Sequence, residues 1–86
     1  MRVHVKVFPI AGLCNQSLKL ELALEEGSLN EMFMGLQSQL SVNPDDSSAI
    51  FVNLMFLHNG RALDKSKDVV FQDGDQLWLL PLISGG

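Results

Sequence analysis

The chain has 86 residues, enough for one small domain and too few for several. Its net charge is −4 and its six Lys and Arg residues are scattered, which argues against nucleic-acid binding and favours a partner with a basic docking face. A single cysteine, Cys14, excludes an internal disulfide and a multi-cysteine metal site. Without a signal-peptide pattern or a membrane-length apolar run, we expect a cytoplasmic protein with no membrane partner.

The first two predicted elements are strands. Residues 2–8 alternate strictly, with Val3, Val5 and Val7 on one face and polar side chains mostly on the other. Alternation of this kind with β-branched residues predicts a half-buried strand. After a connection broken by proline and glycine, residues 18–25 alternate again. The pattern predicts a hairpin with a long loop.

A helix is predicted next. Ser28 and Glu31 form a capping-box pattern, in which each side chain accepts a hydrogen bond from the other residue's backbone N–H. An apolar stripe at helical spacing follows, formed by Leu29, Met32, Phe33, Leu36 and Leu40. We expect this stripe to pack on the apolar faces of the strands, at Val3, Val5, Val7, Leu20, Leu22, Leu77 and Leu79.

The second half of the chain reads as three further β segments. Residues 50–57 are nearly all apolar, which predicts a central strand. Asn59-Gly60 is a strong signal for a type I′ turn, and residues 61–63 form a short returning strand. A second turn at residues 72–75 precedes the final predicted strand at residues 76–80.

This order of elements predicts an α+β two-layer domain of the β-grasp type. Its mixed sheet has four to five strands, with the first and last strands parallel at the centre, and one main helix covers one face. Residues 1–81 form the domain. Residues 82–86 form a flexible tail, because Gly85 and Gly86 have no side chains to pack and glycine loses much freedom on ordering.

Three stretches of the second half are distinctive, and they are Asn59-Gly60-Arg61, Phe71-Gln72-Asp73-Gly74-Asp75 and Leu79-Leu80-Pro81-Leu82-Ile83-Ser84-Gly85-Gly86. With them the chain resembles the MoaD/ThiS family of ubiquitin-like sulfur carriers. The length and the Pro-x-x-Ser-Gly-Gly ending look more like the MoaD branch, the small subunit of molybdopterin synthase, than the shorter ThiS branch.

The resemblance implies a β-grasp fold and a role for the tail. By position, Gly86 carries the carboxylate that an ATP-dependent activating enzyme of the MoeB/ThiF type adenylates, after which it becomes a thiocarboxylate, and Gly85 supports it. The implied partners are that enzyme and a sulfur-accepting synthase subunit. The chain itself is then a protein substrate and sulfur donor, not an enzyme. It binds no cofactor, because the activating enzyme uses the ATP.

A docking surface is predicted where the last strand meets the tail. If Leu77 and Leu79 face the helix, Trp78 and Leu80 lie on the open face of the sheet beside Phe8, where an apolar patch would bind a partner. A shift of one residue in strand parity would instead place Trp78 in the core. The exit and tail residues complete the predicted partner-binding set, and they are Pro81, Leu82, Ile83 and Ser84.

Two other functions stay open at this stage. The chain is alternatively a ubiquitin-like modifier joined to target lysines through Gly86, or a β-grasp interaction module without tail chemistry. Cys14 is interpreted as a packing residue. His4 and His58 are too few and too far apart to indicate a metal site, and Asp73-Gly74-Asp75 is interpreted as a turn, not a calcium loop.

Overall fold

The computed structural model describes residues 1–10, 13–42, 45, 51–64, 67 and 69–81. Its elements are β1 (Arg2–Val7), β2 (Leu18–Ala23), α1 (Leu29–Gln39), β3 (Leu54–His58), β4 (Arg61–Ala62) and β5 (Gln76–Pro81). The predicted domain of residues 1–81 covers all of these elements and stays a prediction. The predicted tail, residues 82–86, lies outside the described residues.

The described strands form one mixed sheet in the order β2-β1-β5-β3-β4. β1 and β5 pair in parallel at its centre, and each has an antiparallel neighbour, β2 beside β1 and β3 beside β5. β4 pairs with β3 at the far edge. The α+β architecture predicted from the order of elements is therefore confirmed, with five strands.

The start of α1 is fixed by the predicted capping box. The Glu31 backbone N–H donates to the Ser28 hydroxyl over 3.1 Å, and the Ser28 N–H donates to the Glu31 carboxylate over 3.2 Å. That carboxylate also accepts the backbone N–H groups of Glu25, over 2.8 Å, and Glu26, over 2.9 Å. These hydrogen bonds, of which the one from the Glu25 N–H has the largest effect, stabilise the ionised carboxylate. They therefore lower the pKa of Glu31.

The apolar stripe of α1 packs on the sheet as predicted. Met32 and Leu36 are completely buried, and Leu29, Phe33 and Leu40 are partly buried against the same cluster. The sheet contributes the apolar faces of β1, β2 and β5, and its buried members are Val3, Val5, Val7, Leu22, Leu77 and Leu79. Leu20 is partly buried against this cluster. One helix face and one sheet face thus share a continuous core.

The predicted strand over residues 50–57 is wrong at residues 51–53, and residue 50 lies outside the described residues. Phe51 and Val52 are helical, Asn53 is in a turn, and β3 begins only at Leu54. Phe51 is buried, with its ring centroid 5.6 Å from that of Phe33, whereas Val52 is 67% exposed. A short apolar run does not distinguish a strand from a buried helical segment, and here the run contains part of each.

The tight turn between β3 and β4 follows the sequence signal. Asn59 and Gly60 both have positive φ, at 52° and 85°, as a type I′ turn requires. The Asn59 side chain also reaches the start of β5, where its carbonyl oxygen accepts the Gln76 N–H over 2.8 Å. The turn therefore fixes the register of β3 against β5 as well as that of the hairpin.

Candidate functional site

β5 directs alternate side chains to opposite faces of the sheet just before the tail. Leu77 and Leu79 are completely buried in the core, whereas Trp78 is 40% exposed on the opposite, open face. Leu80 is half-buried. The predicted parity of this strand is confirmed, and the alternative that places Trp78 in the core is wrong.

Phe8 and Trp78 are brought together on this open face. The Phe8 backbone N–H donates to the Leu79 carbonyl over 2.9 Å, which extends the pairing of β1 with β5 by one residue. The two rings lie 5.5 Å apart between centroids at an angle of 59°. The Lys6 ammonium lies 4.8 Å from the Phe8 centroid and 5.8 Å from the Trp78 centroid. Cation–π contacts at exposed sites contribute about 0.5–1 kcal/mol, enough to favour this arrangement of the three side chains.

β3 adds two residues to the patch that the sequence did not indicate. Met55 pairs with Leu80 and Leu57 with Trp78, so their side chains lie on the same open face. Met55 is 42% exposed and Leu57 is half-buried. We name the set Phe8, Met55, Leu57, Trp78 and Leu80 the open-face patch. The missing signal was the strand order, because only the pairing of β3 with β5 brings these residues together.

Basic side chains border the open-face patch on the side of β1 and β2. The open faces of these two strands carry Arg2, Lys6 and Lys19, and Glu21 is their only carboxylate. An open groove runs between the two lysines and Trp78, lined also by His4, Glu21 and Gln76. Glu21 lies at the Arg2 end of this groove, 3.8 Å from the Arg2 guanidinium and 3.4 Å from the His4 ring.

β5 ends beside the open-face patch. Pro81, the last residue of β5, is exposed and pairs with Leu54 at the start of β3. The remaining predicted site residues, Leu82, Ile83, Ser84, Gly85 and Gly86, lie outside the described residues. β5 pairs with β1 as far as Leu79 and with β3 as far as Pro81, so the last described residue of the strand is held by the sheet.

A hydrogen-bond network occupies the opposite end of β5. The Asp75 carboxylate accepts the Gln72 N–H over 2.9 Å and the Asn59 side-chain amide over 3.1 Å, and it lies 2.6 Å from His58 Nε2. The His58 ring packs against buried Phe71, with centroids 4.7 Å apart. Six strand residues, or about 20 Å, separate this network from Pro81 at the other end of β5. The network joins two turns, and its His58 lies on the core-facing side of β3, opposite the face that carries the open-face patch.

This network predicts a specific loss of stability in acid. Desolvation alone would raise the pKa of Asp75, but the hydrogen bonds from Gln72, His58 and Asn59, with the charge of His58, lower this pKa below its usual range. The ionised Asp75 therefore stabilises the fold above the ordinary pKa, and this contribution disappears as the pH falls through the lower pKa of the folded state. Asp75→Asn should be less stable at neutral pH and lose less on acidification, as measured by urea unfolding at several pH values.

The control for this comparison is Asp73→Asn. The Asp73 carboxylate accepts the Arg2 N–H over 2.7 Å, and an amide oxygen at this position can still do so. Part of the acid sensitivity should remain in both variants, because the pKa of Glu31 is lowered as well. Equal slopes of stability against pH for wild type and Asp75→Asn would contradict this role of Asp75.

The other candidates of the sequence do not assemble into a site. Cys14 is half-buried and its thiol lies 3.5 Å from the Phe8 carbonyl oxygen, an arrangement that suits packing. Within the described part of the chain, no three His, Cys, Asp or Glu side chains are grouped as metal ligands. No helix in that part is long and apolar enough to cross a membrane.

The sequence matches no family model, and a search of curated proteins finds no relative. The solved structures that match over the full length of the chain include the following three. One is a chain in the complex of subunits 1 and 2 of the molybdopterin-converting factor from Helicobacter pylori 26695, with 21% identity, all of that chain covered and a TM-score of 0.60. SAMP1 from Haloferax volcanii has 20% identity, full coverage and a TM-score of 0.65. The HVO 2177 protein of Haloferax volcanii has 18% identity, 87% of that chain covered and a TM-score of 0.64.

The chain has the β-grasp fold. Full coverage at these scores, with one helix packed on a five-stranded mixed sheet, matches the architecture built above from the strand pairing. At 18–21% identity the likeness is one of fold. This β-grasp domain therefore presents the open-face patch and its basic border on the face opposite α1.

Proposed function

We propose that the protein is a sulfur carrier, whose Gly86 carboxylate is adenylated and converted to a thiocarboxylate that donates sulfur in cofactor biosynthesis. The observation that supports this most is the position of β5. The strand is paired with β1 and with β3 and ends at Pro81, five residues before Gly86. A rigid central strand and residues without Cβ atoms suit delivery of a carboxylate into a narrow active site.

The proposed chemistry has two steps. In the first, a Gly86 carboxylate oxygen attacks the α-phosphorus of ATP, and pyrophosphate leaves as the new O–P bond forms. In the second, a hydrosulfide-class donor attacks the carbonyl carbon, the C–O bond to phosphate breaks, and AMP leaves. The first step is needed because the charge of a free carboxylate is delocalised, which makes it resist nucleophiles, whereas AMP is a good leaving group.

The partners follow from this chemistry. An activating enzyme of the MoeB/ThiF type supplies the ATP site, and a synthase subunit accepts the sulfur, with molybdopterin as the proposed product, all in the cytoplasm. The similarity in fold to a chain from a complex of two molybdopterin-converting factor subunits supports the second partner. The chain supplies no catalytic side chain and acts as substrate and donor.

The first step is tested by pyrophosphate exchange. The protein is incubated with ATP, labelled pyrophosphate and the purified activating enzyme of the same organism, and label entering ATP reports reversible adenylation. We expect exchange that depends on this protein. Absence of exchange, with the activating enzyme shown to be active on another carrier, would contradict the proposal.

Trp78 should contribute to docking more than to folding. Trp78→Ala removes the largest exposed apolar side chain of the open-face patch, and central aromatic residues commonly dominate binding energy. We expect the apparent affinity for the activating enzyme to fall at least about tenfold. The thermal midpoint should change little, because the contacts of Trp78 with Phe8 and Lys6 lie on the open face of the sheet and not in the core.

The matched control is the next residue on the same strand. Leu79→Ala removes a completely buried side chain and should destabilise the fold by about 2–5 kcal/mol. Titration of the activating enzyme together with thermal melts separates the two effects. A thermal midpoint of Trp78→Ala as low as that of Leu79→Ala would show that Trp78 is a structural residue.

A further inference from the structure

The charges of the open face oppose the charge of the whole chain. The protein has ten acidic and six basic residues, yet the open faces of β1 and β2 carry three basic side chains against one carboxylate. The net charge alone predicted a partner with a basic docking face. The placement of the charges favours an acidic partner for this face.

Lys6 and Lys19 are directly opposite each other across the β1–β2 pair. Like charges at opposed positions of neighbouring strands destabilise a sheet. Neither ammonium has a carboxylate within 4.0 Å among the described residues, because Glu21 contacts Arg2 and His4 instead. The fold therefore maintains two adjacent positive charges without a neutralising group from its own described strands.

The pair is also oriented toward the open-face patch. The Lys6 ammonium is held over the Phe8 and Trp78 rings, and both lysines line the groove that Trp78 borders. A ligand in this groove would meet positive charge on one side and aromatic surface on the other. That combination fits a protein segment in which a carboxylate neighbours an apolar side chain.

We propose that this groove binds an acidic and apolar segment of the activating enzyme, with a carboxylate between Lys6 and Lys19 and an apolar side chain on Trp78. This proposal rests on the proposed function, because it describes how that enzyme is recognised. A protein partner fits better than nucleic acid. The chain has a net charge of −4, so a phosphate backbone would be repelled wherever it extends past the few basic residues of the groove. Opposite charges across the rim raise the association rate and suppress wrong partners.

The test compares two charge-reversal variants with the same change in net charge. Lys6→Glu/Lys19→Glu reverses the groove. The control, Arg61→Glu/Lys67→Glu, reverses two cations outside the groove. Arg61 pairs with His58, which lies on the core-facing side of β3. Lys67 lies near the start of α1. Affinity for the purified activating enzyme is measured by calorimetry at low and high salt, with thermal melts of all variants.

We expect the groove variant to bind about tenfold more weakly at low salt, since two favourable ion pairs become repulsive. Wild-type binding should weaken with salt, whereas binding of the groove variant should not. The affinity of the control variant for the activating enzyme should stay much closer to that of wild type than the affinity of the groove variant does. Equal affinities for wild type and the groove variant at low salt, or equal losses in both variants, would overturn the proposal.

Two further measurements test the groove on the wild-type protein, whose fold no substitution has changed. A carbodiimide, which joins amines to adjacent carboxylates, should link Lys6 or Lys19 of the wild-type protein to Asp or Glu of the enzyme. Links found only at other lysines would overturn the proposal. Single-stranded RNA and anionic lipid vesicles should not bind; binding of either that the groove reversal abolishes would also overturn it.

Adenylation at saturating protein separates this inference from the proposed function. If wild type and the groove variant both reach full pyrophosphate exchange when saturating, but differ in affinity, both proposals stand. If both exchange fully with equal affinity, the groove proposal fails and the sulfur-carrier proposal survives. If wild type binds the enzyme but is never adenylated, the sulfur-carrier proposal fails, and the binding data still decide the role of the groove.

Discussion

Deleting Gly86 is expected to abolish adenylation while leaving the fold intact. The deletion leaves a carboxylate on Gly85 of the same chemical nature but one residue, about 3.5 Å, short of the activating enzyme's ATP. Reacting atoms must approach to about 3–3.5 Å with correct alignment, so an error of this size removes the productive geometry. The described strands and α1 all precede residue 82, so the deletion changes no residue of these elements.

Adding one alanine after Gly86 is the complementary change. The carboxylate then lies too far along the chain and carries a Cβ atom next to it. Pyrophosphate exchange should fall to background for both variants, whereas their thermal midpoints should match that of wild type. Exchange near the wild-type rate by either variant would show that the Gly85-Gly86 ending has no part in activation.

Gly27→Ala is expected to cause the largest loss of stability among alanine substitutions of the four glycines in the described part of the chain. Gly27 has φ of +75°, and a Cβ there would lie 2.4 Å from the Phe71 carbonyl oxygen and 2.8 Å from the Met1 sulfur. The Phe71 N–H donates to the Gly27 carbonyl over 2.8 Å, so the two backbones cannot separate without breaking this bond. Left-handed strain of about 1–2 kcal/mol and overpacking of about 1–3 kcal/mol together predict a loss of about 2–5 kcal/mol.

Gly60→Ala and Gly74→Ala are the matched controls. Both glycines have positive φ, at +85° and +88°, but a Cβ at either position meets nothing within 4 Å. These variants should lose only the conformational part, about 1–2 kcal/mol. Urea unfolding of the three proteins measures the difference. If Gly27→Ala lost no more stability than the two controls, the close approach of the Phe71 carbonyl would not be what excludes a side chain at position 27.

Much of the fold was predictable because local signals and the global packing agree. The capping box at Ser28, the Asn59-Gly60 turn and the alternation of β1 and β5 each depend on neighbours close in sequence. The parity of β5 correctly placed Trp78 on the open face, because a strand with one buried face fixes the orientation of every residue.

The remaining features depend on contacts that the sequence does not display. A buried apolar residue such as Phe51 fits a helical turn as well as it fits a strand. The apolar run alone therefore could not show that Phe51 is helical. Met55 and Leu57 join the open-face patch only because β3 pairs with β5, and Lys6 faces Lys19 only in the observed register. The net charge likewise does not reveal that cations collect on one face.

The most direct measurement of the sulfur-carrier proposal is the intact mass of the protein isolated from its own cells under non-reducing, alkylation-free conditions. We expect a fraction of chains in which one oxygen of the Gly86 carboxylate is replaced by sulfur, and we expect that fraction to disappear when Gly86 is deleted. Chains found only as unmodified carboxylate, or only in higher-mass conjugates through Gly86 to lysines of other proteins, would contradict it.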